Sequence, residues 1–403
     1  MKAHTRATKK TGDYLEFKRV DPAVEVALYF GFSPVDIPLA IGKEDKDRAC
    51  ALCEADRNRA ACPILPVLED KVALFRHYEE KKFHEGPQPV MLCSEAVVGT
   101  ATRGKPMEKR LSLEIIGTSK SIADATLIRT AISVLHDEGC DDVAVFINSV
   151  GDRESGNRYL REFCNHYRKN IAALSTACKV ILKKNPLELL ECPHDKCKTL
   201  AGEAPRSVAF LGEESRRHFK EVLEYLEELG IPYQLDPMIV GNRSFATETV
   251  FEIRDMREGR NMECLAAGCR YNSLGKRLGL KRETPAAGTT ILLRREKSSC
   301  ASRLRFRRPK VFFLQLGFEA KLKSLKVIEI LRQSKIPLYQ ALSRDKLAAQ
   351  MSAAENLKIP YSLIMGQREA IEDSVIVRDT VTRAQETVKI GDLATYFRKM
   401  KIA

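Results

Sequence analysis

The region between residues 229 and 295 constrains the fold of this chain more than any other part of it. Apolar runs of strand length, such as ETVFEI and GTTILL, alternate there with glycine-containing turns. Val, Ile, Phe and Thr in such runs favour half-buried strands, and Gly268 and Gly288 mark positions where the backbone turns or passes close to another group. Three arginines lie among these runs, Arg270, Arg294 and Arg295. The pattern predicts a sheet with cationic groups, which could hold a nucleotide, a nucleic acid or no ligand.

The composition is that of a folded protein with a basic surface. The chain has 403 residues, enough for two or three domains with hydrophobic cores, and a formal net charge of +13. This charge favours a polyanionic partner, although a generally lysine-rich protein would have the same total. No apolar run is long enough to span a membrane, and the N-terminal segment lacks the apolar centre of a signal peptide. We therefore expect a cytoplasmic protein without a membrane partner.

The twelve cysteines are expected to be reduced, because the chain has no export signal. Two groups of residues have spacings that resemble metal sites: Cys50, Cys53 and Cys62, and Cys192, His194 and Cys197. A structural zinc ion usually takes four ligands, and neither group supplies more than three. The sequence therefore favours buried or free thiols over zinc at both places, and we predict no metal site.

Outside this region the local patterns predict the following elements. Residues 1–12 are basic and polar and predict a mobile arm, and the apolar spacing that follows predicts a helix from Tyr14 to Gly31. The segment HFKEVLEYLEELG predicts an amphipathic helix that ends at Gly230. In the C-terminal quarter, strand and helix patterns follow one another as βαβαββα, which predicts a mixed sheet flanked by helices.

Several motifs in the region that opens this section resemble the class II histidyl-tRNA synthetases. They are Leu-Asp-Pro, Thr-Val-Phe-Glu, Ala-x-Gly-x-Arg-Tyr and Thr-Pro-Ala-x-Gly, in this order between residues 235 and 288. The resemblance implies an α+β fold, with a class II synthetase-like core on an antiparallel sheet, a helical insertion and a C-terminal α/β domain of the anticodon-binding type. It also implies a homodimer that joins histidine to tRNA with ATP and magnesium. The segment DPAVEVALYFGF resembles the family's first motif, in which a helix leads into a strand at the dimer interface, and this resemblance implies a strand at 34–38.

The resemblance covers nearly the whole chain and implies a division into four parts. The C-terminal part carries the motifs Asp-Lys-Leu-x-x-Gln and Ile-x-Gly-Gln-x-Glu, which resemble the anticodon-binding domain. The four parts are the core at 1–150 and 230–300, the helical insertion at 151–229, a basic linker at 301–308 and the anticodon-binding-like domain at 309–403.

Some residues of the family's histidine and ATP sites are retained. By resemblance, Glu69 binds the amino group of histidine, while Glu114 and Tyr271 lie in the histidine pocket. Arg295 matches the arginine that stacks on adenine. An alternative for Glu69 is a surface carboxylate that opens a helix and interacts favourably with the helix dipole. These residues are the remnant of a histidine pocket and an ATP site.

Four other positions have lost the chemistry of the family. The arginine that grips the α-phosphate of ATP is replaced by Ala96, and the glutamate that positions adenine by Val98. The signature arginine is replaced by Gly241, and the glycine that makes room for ATP by Leu292. Arginine offers rigid bidentate donors to a developing negative charge, so its loss costs on the order of several kcal/mol of transition-state stabilisation. This argues against an ordinary adenylation enzyme.

Displaced residues are the remaining route to activity. A family glutamine in the histidine pocket corresponds to Arg110. Arg243 follows Gly241 by two residues and would lie on the same strand face, which makes it a candidate for a displaced catalytic arginine. An active enzyme would depend on such groups, namely Arg103, Arg243 and Arg295.

A cluster of arginines precedes the C-terminal part. Its members, which suit RNA phosphates, are Arg303, Arg305, Arg307 and Arg308. Basic residues are also frequent between residues 153 and 184, in the part that resembles the insertion that touches the tRNA acceptor arm. Together with the implied anticodon-binding domain, they predict tRNA as a partner.

Three hypotheses for the function follow. The first is a histidyl-tRNA synthetase paralogue whose adenylation site has decayed and which still binds tRNA. The second is an active histidine–tRNA ligase that uses the displaced arginines. The third is a histidine-sensing regulatory subunit that resembles that of ATP phosphoribosyltransferase, which the C-terminal domain disfavours because those relatives lack it.

Overall fold

Three β-sheets organise the part of the chain that the structure describes. The structure is a computed structural model, and none of the helices in its described residues is long and apolar enough to cross a membrane. The described residues are 7–11, 13–37, 41–52, 68–98, 108–242, 245–260, 262–293, 302–342, 346–400 and 402.

The strands and helices are numbered in chain order. The strands are β1 Ala7–Thr11, β2 Tyr14–Val20, β3 Ser33–Pro34, β4 Val90–Val98, β5 Glu108–Ile116, β6 Val143–Ser149, β7 Tyr233–Leu235, β8 Thr247–Asp255, β9 Cys264–Arg270, β10 Ala286–Leu293, β11 Ser302–Arg307, β12 Val311–Gln315, β13 Leu338–Gln340, β14 Tyr361–Met365, β15 Ser374–Asp379 and β16 Gln385–Lys389. The helices are α1 Pro22–Tyr29, α2 Lys43–Leu52, α3 Leu68–Glu80, α4 Ile122–Asp137, α5 Arg153–Lys169, α6 Thr176–Lys184, α7 Asp195–Glu203, α8 Glu213–Glu228, α9 Leu274–Arg277, α10 Phe318–Gln333, α11 Leu347–Asn356, α12 Gln367–Ile371 and α13 Leu393–Lys399.

The largest sheet has eight strands in the order β3-β4-β5-β10-β9-β8-β6-β7. Its six inner strands pair antiparallel, whereas β3 and β7 add to the two edges in parallel. Odd-numbered residues of β5 such as Leu113 pack with α4 and α8, while even-numbered ones such as Ile116 face α3. This alternation is the period of two that strands impose. The prediction of an antiparallel sheet core with α+β architecture is confirmed.

The prediction of an N-terminal helix from Tyr14 to Gly31 is wrong for its first half. Residues Tyr14–Val20 form β2, which lies between β1 and β11, and α1 begins only at Pro22. Asp21 sets this boundary, because its side chain accepts a hydrogen bond of 3.0 Å from the backbone N–H of Ala23 as an N-cap does. Proline is favoured in the first turn, where its missing N–H has no partner to lose.

Three smaller corrections concern segments that we expected to be less ordered or more extended. Ala7–Thr11, expected in a mobile arm, forms β1. Most of the expected linker at 301–308 forms β11, because Phe306 packs against Tyr29 of α1 with ring centroids 5.0 Å apart. The strand expected at 34–38 is β3, which has only two residues.

The helices between β6 and β7 divide into two groups. Helices α5, α6 and α7 enclose a small core of their own, with Tyr159, Phe163 and Tyr167 at its centre. Helix α8 instead packs on α4 beside the large sheet, through residues such as Val222. The insertion thus has its own apolar centre, and α8 leads the chain back to the sheet.

The C-terminal residues form a five-stranded mixed sheet with the order β13-β12-β14-β15-β16. Strand β12 is parallel to β13 and β14, while β14, β15 and β16 are antiparallel. The predicted alternation of strands and helices is confirmed in outline, but the structure adds two elements to the predicted order, one strand and the short α12. Helix α10 faces α4 of the core, where Arg129 and Glu329 approach to 3.2 Å.

A buried ion pair connects β9 to α4. Arg270 is 0% exposed and Asp124 is 2% exposed, and Arg270 Nε donates to both Asp124 carboxylate oxygens at 2.8 and 3.0 Å. The other two guanidinium nitrogens donate to the carbonyl oxygens of Thr118 and Lys120 at 3.0 and 2.6 Å. Because all three nitrogens have partners, this arginine has a structural role in holding the loop before α4.

We predict that Asp124→Asn lowers the free energy of unfolding by about 3–5 kcal/mol at pH 7, because it leaves the buried Arg270 charge without its partner. Burial by itself would raise the pKa of Asp124, but Arg270 and His218 outweigh it and lower that pKa below its usual value. A lowered folded-state pKa adds stability above the unfolded pKa of about 3.9 and loses it as the pH falls further. The difference between wild type and variant should therefore shrink below about pH 4, as measured by urea unfolding.

The matched control is Asp137→Asn, which removes a carboxylate that is 45% exposed and lies 3.0 Å from Arg332. Exposed pairs contribute about 1 kcal/mol or less. Equal losses in the two variants would contradict the role assigned to Arg270.

Candidate functional site

Three of the positions that replace family residues lie in one row across the large sheet. Ala96 of β4 is directly opposite Arg110 of β5, and Arg110 is in turn opposite Leu292 of β10. Residues directly opposite one another on antiparallel strands project to the same face. Val98 follows Ala96 by two residues on β4. The fold thus brings these positions together, and Arg110 is the cationic residue of the row.

A second row on the same face contains Glu114. It lies opposite Leu92 of β4 and Gly288 of β10, and Gly288 lies opposite Cys269 of β9. A Cβ atom added at Gly288 would lie only 1.9 Å from Glu114 Oε2. Gly288 is therefore the position of close approach that the sequence indicated, and its missing side chain makes the space for the Glu114 carboxylate.

The Glu114 carboxylate is bonded on both sides within the protein. Lys71 Nζ forms a short ion pair with Oε1, and the Tyr271 hydroxyl donates a short hydrogen bond to Oε2. The three residues are almost inaccessible, with Lys71 2% exposed, Glu114 3% and Tyr271 0%. Lys71 Nζ also lies 5.0 Å from the centroid of the Tyr271 ring, a distance at which cation–π attraction contributes. We call this set of residues the Lys71–Glu114–Tyr271 cluster.

Burial governs the protonation of this cluster. Burial raises the pKa of the Glu114 carboxyl, and the Lys71 ammonium group and the Tyr271 hydroxyl oppose that rise. Burial and the adjacent Glu114 raise the pKa of Tyr271 well above its usual value. The Tyr271 hydroxyl therefore keeps its proton at neutral pH and acts as a hydrogen-bond donor.

Aromatic side chains close the space around the cluster. Phe75 of α3 and Phe245 each meet the Tyr271 ring edge-on, with ring centroids 6.0 Å apart in both pairs. Phe75 and Phe245 are buried. Edge-to-face pairs of this kind stabilise a packed core. Both rings therefore pack on Tyr271 and offer it no hydrogen-bonding group.

Gly241 lies at a position that excludes a side chain. Its φ angle is +62°, in the left-handed region that favours glycine. A Cβ atom there would lie 2.7 Å from Val250 Cγ1 and 2.9 Å from the Ala246 side chain. The local backbone therefore has no room for the arginine that the family resemblance places at this position.

Other predicted site residues lie elsewhere or outside the described residues. Glu69 is exposed in the first turn of α3, as the surface alternative requires. Arg110 donates to Glu108 on its own strand at 3.0 Å. Several predicted groups fall outside the described part of the chain: Arg103, Arg243, Arg295, and the side chain of Val98.

The predicted RNA-contact arginines lie on or just after β11. Arg303 and Arg305 are 62% and 60% exposed, and both approach Glu16 of β2, at 2.5 and 3.7 Å. The Arg305 guanidinium lies over the Tyr14 ring at 4.6 Å from its centroid. Arg307 instead donates to the Ile402 carbonyl oxygen at 3.2 Å. The patch is therefore cationic, but Glu16 offsets part of its charge.

Known proteins resemble this chain over most of its length. The protein named histidine–tRNA ligase from Listeria innocua is 30% identical over 321 residues, which cover 77% of this chain and 75% of that protein. The chain belongs to the histidyl-tRNA synthetase family. The Bacillus subtilis histidine–tRNA ligase is 28% identical over 347 residues, covering 84% of this chain and 81% of that protein.

Two further comparisons concern the fold. The family described as "Anticodon binding domain" matches residues 310–400, which contain the C-terminal sheet. The crystal structure of apo Staphylococcus aureus histidyl-tRNA synthetase covers 93% of each chain at 22% identity, with a TM-score of 0.50. The predicted class II synthetase-like fold with a C-terminal domain of the anticodon-binding type is thereby confirmed.

Lys71 is the residue of this site whose role the sequence did not reveal. The family resemblance implies a threonine at this position, and the partner of the lysine found there, Glu114, lies 43 residues away. One signal was available, since Lys71, Phe75 and Tyr78 are spaced i, i+4 and i+7 on α3 and share its buried face. A lysine in an apolar stripe requires a buried partner, because an unpaired buried charge is costly.

We predict that Lys71→Met lowers the free energy of unfolding by about 3–5 kcal/mol at pH 7, because Glu114 is left buried without a counter-charge. The double variant Lys71→Met/Glu114→Gln should recover most of that loss, since it removes both charges. A buried carboxyl with a raised pKa is tolerated when protonated, so the single variant's deficit should shrink as the pH falls from 7 to 4. Urea unfolding measures the loss in the single variant, the recovery in the double variant and the change of the deficit with pH.

Lys82→Met is the matched control, because Lys82 follows α3 and is 69% exposed. Its effect should stay within about 0.5 kcal/mol. A deficit as small as this in Lys71→Met would mean that the buried pair does not stabilise the fold.

Proposed function

We propose that this member of the histidyl-tRNA synthetase family binds tRNA and no longer activates histidine at an ordinary rate. The observation that carries the proposal is the Lys71–Glu114–Tyr271 cluster. By family resemblance, Glu114 and Tyr271 belong to the histidine pocket, and here a lysine of the same chain neutralises the carboxylate. Histidine would have to displace a buried ion pair in order to use it.

The electrostatics of the phosphate side support the same proposal. Formation of an adenylate develops negative charge around the α-phosphate, which an enzyme stabilises with preorganised donors. Strand β4 contains no arginine, and Ala96 and Leu292 flank Arg110, which already donates to Glu108. At Gly241 the close approach of Val250 leaves no room for a side chain. Ala96 and Gly241, which stand at the two positions of the family's arginines, therefore supply no donor to the α-phosphate.

The tRNA partner is supported by the C-terminal domain and by charge. Residues 310–400 match the anticodon-binding family, and the whole chain has a net charge of +13. Phosphate contacts by Lys and Arg supply most of the non-specific affinity for nucleic acid. We extend the proposal to a homodimer in the cytoplasm, as the family resemblance implies, and to the domain limits given above, with core, helical insertion and anticodon-binding-like domain.

The second candidate is an active histidine–tRNA ligase, which would use ATP and magnesium. The observation in its favour is the identity of 28–30% to proteins named histidine–tRNA ligase over three quarters or more of their length. It would require Arg243 or Arg103 to take over the missing contacts. A regulatory role like that of the ATP phosphoribosyltransferase subunit is disfavoured by the match to the anticodon-binding family at 310–400.

We predict that histidine-dependent ATP–pyrophosphate exchange by the purified chain is at least about a thousandfold slower than that of the Bacillus subtilis relative. One missing oxyanion donor costs about 10²–10³ in rate, and two of the family's donor positions are empty here. The assay compares both proteins with and without histidine, and tRNA binding is measured on the same preparation. Exchange within about tenfold of the relative would establish the ligase instead, whereas absence of tRNA binding would refute the RNA half of the proposal.

We also predict that the double variant Arg303→Ala/Arg305→Ala weakens tRNA binding and makes it less dependent on salt. Each phosphate contact removed should reduce the slope of log affinity against log salt concentration by about one. The Kd for tRNA is measured at several salt concentrations.

The matched control is Lys82→Ala/Lys220→Ala, which removes two cations that are 69% and 76% exposed and that also lie near carboxylates. Equal slopes for the two double variants would mean that the β11 arginines only stabilise the sheet through Glu16.

A further inference from the structure

The helical insertion contains a group of side chains with metal-binding chemistry. Cys178, Cys192, His194 and Cys197 each offer one ligand atom, and these four atoms all lie within 4.8 Å of one another. The three thiols are buried, with exposures of 0%, 6% and 1%, and His194 is exposed. The sequence had identified three of these residues, and the fold adds Cys178, which lies 14 residues before Cys192.

Cys178 Sγ lies at the distances of a tetrahedral zinc site from the other three ligand atoms, whereas His194 Nδ1 and Cys192 Sγ lie closer together. With Zn–S bonds of about 2.3 Å and Zn–N bonds of about 2.0–2.1 Å, neighbouring ligand atoms lie roughly 3.5–3.8 Å apart. Cys178 Sγ lies 3.6 Å from Cys192 Sγ and 3.5 Å from Cys197 Sγ. His194 Nδ1 lies 3.6 Å from Cys178 Sγ and 3.1 Å from Cys192 Sγ. A disulfide needs an S–S distance of about 2.0 Å, and all three cysteines are free.

Local structure positions each of the four side chains. Ser175 caps α6, where it accepts from the Cys178 backbone N–H at 3.2 Å, so that Cys178 lies in the first turn. Cys192 directly follows a 3₁₀ turn, His194 is the N-cap residue of α7, and Cys197 lies in its first turn. The N-terminal ends of α6 and α7 thus meet at this point, and both helix dipoles favour negative charge there.

A supporting hydrogen bond orients the central thiol. The Ser175 hydroxyl donates to Cys178 Sγ at 3.1 Å, in addition to its contact with the backbone. Such outer contacts orient the ligands of metal sites and tune their affinity. The same serine therefore sets both the start of α6 and the direction of the thiol.

We propose that Cys178, Cys192, His194 and Cys197 bind a structural zinc ion. Three thiolates and one imidazole form a ligand set that selects zinc over magnesium or calcium, which prefer oxygen. The four ligands complete the tetrahedron and leave no open position for substrate, as in structural sites. Our prediction of no metal rested on finding only three ligands in one stretch of sequence, and Cys178 removes that objection.

The zinc ion stabilises the fold of the insertion. The apolar core of α5, α6 and α7 is small, and three of its ten buried residues are the cysteines of the site. Small cores of this kind commonly need a metal or disulfide to remain folded. Zinc joins α6, the turn before Cys192 and α7 into one unit and so holds the basic helices of the insertion in place.

The first experiment measures metal in the purified full-length chain by mass spectrometry. We expect close to one zinc per chain, released when a thiol-modifying reagent is added. Replacement of zinc by cobalt should give thiolate-to-cobalt charge-transfer bands and the intense d–d bands of a tetrahedral ion. A chain that binds neither zinc nor cobalt would overturn the proposal, as would an octahedral cobalt spectrum.

Variants assign the metal to this site. Cys178→Ser should lower zinc affinity at least tenfold, whereas Cys164→Ser, at a buried free cysteine of α5 outside the group, should keep it. His194→Cys should retain the metal and shift the cobalt spectrum towards that of four thiolates. This last variant decides the matter if Cys178→Ser does not fold, because His194 is exposed. Equal zinc content in all variants, or an unshifted His194→Cys spectrum, would refute the assignment.

Discussion

The core depends on the buried ion pair between Arg270 and Asp124. The guanidinium group joins β9 to Asp124 of α4 and to the carbonyl oxygens of the loop before that helix, so it fixes α4 against one face of the large sheet. The next residue along the chain, Tyr271, packs on the opposite side with Glu114. Two successive residues therefore set both layers, because adjacent side chains of an extended backbone point to opposite faces.

The candidate site follows the same rule that buried charges are paired within the protein. A pocket for a charged amino acid contains polar groups that have no partner until the ligand binds. Burying such groups without a partner costs folding free energy. In this chain Lys71 supplies the positive charge that Glu114 requires, and Phe75 and Phe245 complete the packing. The charged and polar groups of the Lys71–Glu114–Tyr271 cluster are thus paired within the protein, inside the fold of the family.

Much of the fold followed from local patterns. The alternating runs at 248–253 and 288–293 became inner strands of the large sheet, and the C-terminal alternation became a mixed sheet. The segment at 14–20 was misread as helix because its charged and apolar residues fit either period over so short a length. The segment forms a strand because it pairs with β11, which lies almost 290 residues later in the chain.

By itself the sequence determined the architecture, the family and the absence of arginine from β4, because these depend on periodicity and on which residues occur in which order. Tertiary structure decided which distant groups meet. Lys71 and Glu114 form a pair only because α3 packs on the face of the sheet that carries Glu114, and Cys178 reaches Cys192 and Cys197 only because the N-terminal ends of α6 and α7 converge. Contacts of this kind depend on how elements pack, and spacing along the chain does not encode them.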